Sequence, residues 1–253
     1  MFRPLQHLGS RAALCAFLAP AIWGIGFPAL ASPSGVVIAV VQSAEAFGQT
    51  GNNVLAPEAP VFAGDRIVTG QSGEAQVRFR DDTKLVVGPN SAMVIDAFVF
   101  DAGDSARKIS INTLRGAFRF ITGNSMKDAY TISTPTATIG VRGTVFDLNI
   151  DPFDGTLRIA NLEGTTRICS RTVDPTTHMP SCVDTHDLCG VSVVAPNEPL
   201  RRVATRSDRN QILNRYFRYV RNQANLQPGF RVSTAACGTF APSPLPPRPA
   251  SAN

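Results

Sequence analysis

The chain has 253 residues and a formal net charge of +5, from 24 Lys and Arg against 19 Asp and Glu. Hydrophobic residues make up 43% and charged residues 17%, which excludes a wholly disordered chain and leaves room for one large or two small domains. The charge is uneven: residues 36–165 carry 14 acids against 11 Lys and Arg, whereas residues 166–253 carry 5 acids against 11 Arg.

At the N-terminus Arg3, His7 and Arg11 frame the start of an apolar run from Ala12 through Leu30, which ends in Ala29-Leu30-Ala31. Residues 1–31 therefore read as a secretory signal peptide cleaved after Ala31. Pro20 and Pro28 weigh against the alternative, an uncleaved membrane anchor. Cys15 follows Leu14 rather than a small residue, so it is not expected to carry a lipid. Export predicts a periplasmic or secreted protein of a Gram-negative bacterium, and it removes nucleic acid as a partner. Cys169, Cys182, Cys189 and Cys237 remain in the mature chain, an even number in an oxidising compartment. Two disulfides are expected, with all three pairings open.

From residue 36 to 168 apolar side chains recur at every second position, the signature of strands with one buried face. Val36, Ile38 and Val40 begin the series. Ala75, Val77 and Phe79 alternate with Gln76, Arg78 and Arg80; Asp81-Asp82-Thr83 then reads as a turn before Leu85 and Val87. Gly88-Pro89-Asn90-Ser91 is a second turn, followed by Met93, Ile95, Ala97 and Val99. Ile109 and Ile111 start another strand. Leu114, Gly116, Phe118 and Phe120 alternate with Arg115, Ala117 and Arg119. Tyr130 and Ile132 precede Pro135, and Thr144, Phe146, Leu148 and Ile150 alternate with Val145, Asp147 and Asn149. Asp154-Gly155 is a hairpin turn leading to Leu157 and Ile159. Strands of this kind offset their ordering entropy only by closing over a shared core. The expectation is an all-β fold, a twisted two-layer sandwich or a solenoid-like β domain.

Periodicity fades over residues 169–200, which read as a loop-rich, covalently pinned segment with one further strand at Val191, Val193 and Val194. Residues 207–224 predict a single amphipathic helix, with Asp208 and Gln211 as its capping box and Pro228-Gly229 beyond its end. Its apolar face is Ile212, Leu213, Tyr216, Phe217 and Val220; Arg215, Arg218 and Arg221 lie elsewhere on the helix. Residues 169–240 thus form a disulfide-stabilised basic region, and the Pro- and Ser-rich residues 241–253 a disordered tail.

Several strings in the strand-rich part resemble the FecR domain: Gly64-Asp65-Arg66-Ile67-Val68-Thr69-Gly70, Leu114-Arg115-Gly116-Ala117-Phe118, and above all Ser133-Thr134-Pro135-Thr136-Ala137-Thr138-Ile139-Gly140-Val141-Arg142-Gly143-Thr144-Val145-Phe146. The resemblance covers roughly residues 36–165. It implies an exported β module, which in the name-giving members is the periplasmic part of a transmembrane regulator relaying a transporter's state to a sigma factor. Read from the residues themselves, Pro135 ends or kinks a strand. Gly140 and Gly143 permit backbone conformations or a close approach denied to other residues. Thr134, Arg142, Thr144 and Phe146 complete the motif, with Arg142 as a structural clamp across a turn or, alternatively, an anion-recognition point.

No nucleophile–base pair is evident, so a non-enzymatic protein without cofactors is expected. His178 and His186 fall among the cysteines and offer zinc as an alternative to disulfides, but the spacing does not match paired Cys-x-x-Cys ligands. The expected role is a periplasmic binding or assembly module for an envelope protein or polysaccharide. The basic helix offers peripheral contact with a membrane. A membrane-anchored regulatory sensor is the alternative.

Overall fold

The molecule is seen in a computed structural model, in which residues 32–48, 51–100, 106–126, 128–173 and 177–238 are described. The expected signal peptide and the tail at 241–253 lie outside them. Strands come in chain order as β1 (Gly35–Val41), β2 (Ala44–Gly48), β3 (Gly51–Val54), β4 (Pro60–Val61), β5 (Arg66–Thr69), β6 (Glu74–Phe79), β7 (Lys84–Val87) and β8 (Ala92–Phe100). The long β9 (Ala106–Ile121) follows, then β10 (Tyr130–Ser133), β11 (Ala137–Ile150), β12 (Leu157–Val173), β13 (Pro180–Thr185), β14 (Gly190–Val194) and β15 (Arg201–Arg202). All belong to one hydrogen-bonded sheet whose main path runs β15-β14-β12-β11-β10-β9-β7-β6-β1-β4, with β8, β5, β2 and β3 branching from β9 and β13 from β12.

The branch arises because β9 is long enough to serve different partners along its length. Residues Ala106–Arg115 pair with β8, while Gly116–Ile121 pair with β11 and Phe118–Ile121 also pair with β7. Between Ile109 and Asn112, β10 adds on in parallel. The two arms then fold over one another. The ring of Phe79 on β6 stacks on Phe98 of β8 at 4.2 Å, although the two strands share no ladder. Side chains of both arms fill one core that includes Val37, Ile67, Val77, Leu85, Ile95 and Phe118. The all-β expectation holds, with the two layers supplied by a single sheet.

Residues 169–200 differ from the expected loop. β12 runs straight through the proposed boundary at 168 to Val173, and β13 returns along it in register, Thr166 opposite Thr185 and Cys169 opposite Cys182. β14 pairs with the first half of β12. The alternation is hidden because polar residues take inward positions: Thr166, Ser170, Thr185 and Ser192 are buried.

The C-terminal helix is also different. It is split into α1 (Arg206–Tyr216) and α2 (Arg218–Arg221), with Phe217 between them at φ −108° and ψ 82°. The break sends neighbouring aromatics in two directions. Phe217 and Val220 join Leu213, Val145, Ala160, Leu162, Val191 and Val193 in a second core, whereas Tyr219 joins Val86, Leu226 and Phe230 in a third. The N-cap is Thr205, whose Oγ1 accepts from the Asp208 amide at 3.1 Å, so Asp208 stands in the first turn instead of capping it. Pro228–Phe230 and Ala235–Cys237 are single 3-10 turns. Residues 203–238 together form a strap across the outer face of the sheet.

Candidate functional site

The Thr134–Phe146 string builds a chain reversal followed by a change of strand partner. The Thr134 amide donates to the Ala137 carbonyl and the Ala137 amide to Thr134 Oγ1, both at 2.9 Å, with Pro135 and Thr136 at the tip. The turn is held by Arg171, whose amide donates to the Thr136 carbonyl at 2.8 Å and whose Nε donates to the Thr134 carbonyl at 2.9 Å. β11 then pairs with β10 through Gly140 and with β9 from Val145 onward. The register shifts between Arg142 and Val145, a bulge. Gly143 has φ +62° there, and across the ladder Gly164 has φ +68°; a Cβ on Gly164 would lie 2.1 Å from the Gly143 carbonyl oxygen. The Thr144 amide donates to Thr122 Oγ1 at 2.8 Å, and Phe146 stacks on Phe120 with centroids 5.4 Å apart.

Two expectations fail within this string. Arg142 is exposed and forms no hydrogen bond or ion pair with the described residues, because the bulge turns it outward; the clamp is Arg171. At Gly140 the nearest atom to an added Cβ is 3.9 Å away, so no close approach requires glycine there. The cysteines pair as Cys169–Cys182 and Cys189–Cys237. With all four sulfurs in those pairs, no thiolate is left for the zinc alternative. Cys189 and Cys237 are buried, Cys182 is exposed, and the second pair fastens the end of the strap to the start of β14.

The densest polar chemistry lies under the strap. On β6, β9 and β11 the residues that alternate with the core, Glu74, Gln76, Arg119 and Asp147, are 2%, 0%, 0% and 1% exposed. Arg119 grips Asp147 with two bonds, Nε to Oδ1 at 2.7 Å and Nη2 to Oδ2 at 2.9 Å, and its Nη1 donates to Gln223 Oε1 on the strap at 2.6 Å. The Tyr219 hydroxyl donates to Glu74 Oε2 at 2.9 Å. Gln76 reads strap backbone: its Nε2 donates to the Asn225 carbonyl at 3.0 Å, and its Oε1 accepts from the Gln227 amide at 2.8 Å. Burial lifts the Asp147 carboxyl above its ordinary range, with Arg119 pulling the other way. Burial, reinforced by the Glu74 carboxylate, holds the Tyr219 hydroxyl well above its usual value. Each charge here has a partner that neutralises or hydrogen-bonds it, which is the arrangement of a structural joint.

The outer side of the strap is different. Residues 201–231 hold eight arginines and one acid, Asp208. Arg201, Arg202, Arg206, Arg215, Arg218 and Arg231 are exposed, and Arg209 and Arg221 half-buried. Sequence reasoning found this basicity and missed the joint, because Arg119 and Gln76 sit at positions that alternation assigns to solvent. Tyr216, Phe217 and Tyr219 were the available signal that something covers that face.

The profile of the family described as FecR protein matches residues 65–167. Crystal structures at 1.65 and 2.50 Å of a candidate anti-sigma factor from Parabacteroides distasonis are similar to the chain, at 14% identity and a TM-score of 0.41. The similarity covers 55% of this chain and 58% of that one, so the chain spans less than two thirds of that protein's length. No curated protein matches the sequence.

Proposed function

Taking residues 65–167 as the FecR domain that the family comparison identifies, we propose that this protein is a non-enzymatic binding module of the bacterial cell envelope. Its contact surface is the arginine-bearing outer face of the strap, and its partner is an acidic envelope protein or polysaccharide. The observation that carries the reading is the division of labour along the strap. Leu213, Phe217, Tyr219, Val220, Leu226 and Phe230 are buried against the sheet, while six arginines of residues 201–231 remain exposed. Of these exposed cations Arg202 is ion-paired with Asp187; the others form no ion pair with the described residues, and such cations raise the local concentration of anionic partners. The FecR domain and the two cysteine pairs support an extracytoplasmic location, where disulfides persist. Among the described residues no helix is long and apolar enough to cross a membrane.

A photo-crosslinker placed at Arg206 or Arg215 in growing cells is expected to capture a defined envelope protein or glycan. Capture from β3, on another part of the surface, serves as the control. Equal, nonspecific labelling from both positions would remove the strap as the contact surface.

A further inference from the structure

The strap meets the sheet edge in a cleft of about 650 Å³, within the size range of small-ligand sites. Its rim comes from three turns of the sheet and from α2. Gln42, Gln71 and Ser72 stand on one side and Arg218, Arg221 and Asn225 on the other. Glu74 and Tyr219, already bonded to each other, close the floor. The floor carboxylate is engaged by the Tyr219 hydroxyl and by Gln76 Nε2 at 3.1 Å; these neutral donors leave its charge in place, and the two rim cations, Arg218 and Arg221, outnumber it.

The rim groups are differently placed. The side chains of Gln42, Gln71, Ser72 and Asn225 make no hydrogen bond with the described residues. Arg218 is exposed, its guanidinium 5.5 Å over the face of the Tyr219 ring, with no carboxylate at ion-pair distance among the described residues. Stacking on the ring fixes the plane of the guanidinium while leaving its edge N–H groups free to donate. Arg221 adds a second cation one turn along α2, oriented by a 2.6 Å bond from its Nη1 to the Asn214 carbonyl.

We propose that this cleft binds an acidic saccharide. A planar guanidinium edge matches a sugar carboxylate in a two-point contact. The surrounding carboxamides and hydroxyl both donate and accept, which suits vicinal ring hydroxyls. An anionic lipid surface fits less well, because the cations lie in a recess whose rim is built from uncharged amides. The inference rests on the envelope-binding reading above and names the ligand class for one part of that surface.

The test uses the mature oxidised chain and three probes: oligogalacturonate, maltohexaose, and vesicles containing phosphatidylglycerol. Saturable binding of oligogalacturonate is expected, with no binding of the neutral oligomer. Arg218→Gln should weaken it about tenfold, the scale of one lost charge-assisted contact, and Arg218→Lys should restore it only in part because the fork is lost. The pair Gln42→Ala and Gln71→Ala, which changes no charge, should weaken it several-fold. Melting temperatures equal to the parent's confirm that each variant is folded; if Arg218→Gln melts early, the glutamine pair decides. Equal affinity for maltohexaose, uronate binding indifferent to the glutamine pair, or vesicle binding that oligogalacturonate does not displace would each overturn the proposal. Crosslinking from Arg206 or Arg215 that survives Arg218→Gln leaves the broader reading standing and removes only this site.

Discussion

Arg119 sits sealed from water with Asp147 and Gln223 as its hydrogen-bond partners. Replacing it by Leu strands the Asp147 carboxylate in an apolar setting, and the expected loss is about 3–5 kcal/mol in urea denaturation. Replacing both Arg119 and Asp147 by Leu should recover much of that loss, since two matched apolar residues leave nothing unpaired. A double variant as weak as the single one would show that Gln223 and Tyr219, not the ion pair, hold the joint. By contrast Arg142→Gln should shift stability by no more than about 0.5 kcal/mol, as for other exposed side chains without partners. Tyr219 supplies a pH dependence. Its folded value is raised above that of the unfolded chain, so its contribution is complete below the unfolded value of about 10 and is lost as pH rises past it. Tyr219→Phe should lower neutral-pH stability by leaving Glu74 one donor short, about 1–3 kcal/mol. It should also flatten the fall above pH 10, measured by denaturation at stepped alkaline pH.

Among the elements, strands with a plain period of two were legible because each has one face against the core. β6 shows both the success and its limit: Ala75, Val77 and Phe79 mark the strand correctly, while Glu74 and Gln76, on the other face, are buried as well. Local pattern cannot reveal a cover supplied from 150 residues away. The same distance hid the break at Phe217, which is required by two separate clusters that the helix meets only in the folded state. The end of β12 beyond residue 168 and the whole of β13 were missed because Thr166, Ser170 and Thr185, not large apolar residues, take inward positions there. The FecR-like string was legible as a motif, but its physical content is a bulge. Gly164→Ala tests that content. With φ at +68° and the Gly143 carbonyl 2.1 Å from the new methyl, a loss of about 2 kcal/mol or more is expected, combining left-handed strain with the clash. Gly140→Ala on the neighbouring strand β11 has space for its methyl, so chemical denaturation of the two variants should separate them clearly. Gly88→Ala also bears on the joint, since its methyl would come within 2.8 Å of the Tyr219 hydroxyl; it should displace the strap, seen as faster hydrogen exchange at Leu226 and Phe230.

At the scale of the whole molecule, the sheet and the strap form one cooperative body, since four side-chain hydrogen bonds and two apolar clusters join them. Cys237→Ser should cost about 2–5 kcal/mol, as for other native disulfides, with hydrogen exchange rising first in residues 217–232. Cys169→Ser with Cys182→Ser should cost less, because the β12–β13 ladder already aligns that hairpin and the bond closes a separation of 13 residues instead of 48. Equal costs would mean that the strap gains little from its covalent fastening. The Cys189–Cys237 bond has a mechanical consequence too. If the folded body is stretched between residues 32 and 238, the load passes from Cys189, just before β14, through two sulfur atoms directly to the last described turn. The helices and the arginine-bearing surface lie on a bypass that carries no tension. About 160 Å of chain contour is thereby hidden from the pull, and the surface that meets partners keeps its shape while the strands beside it bear the force.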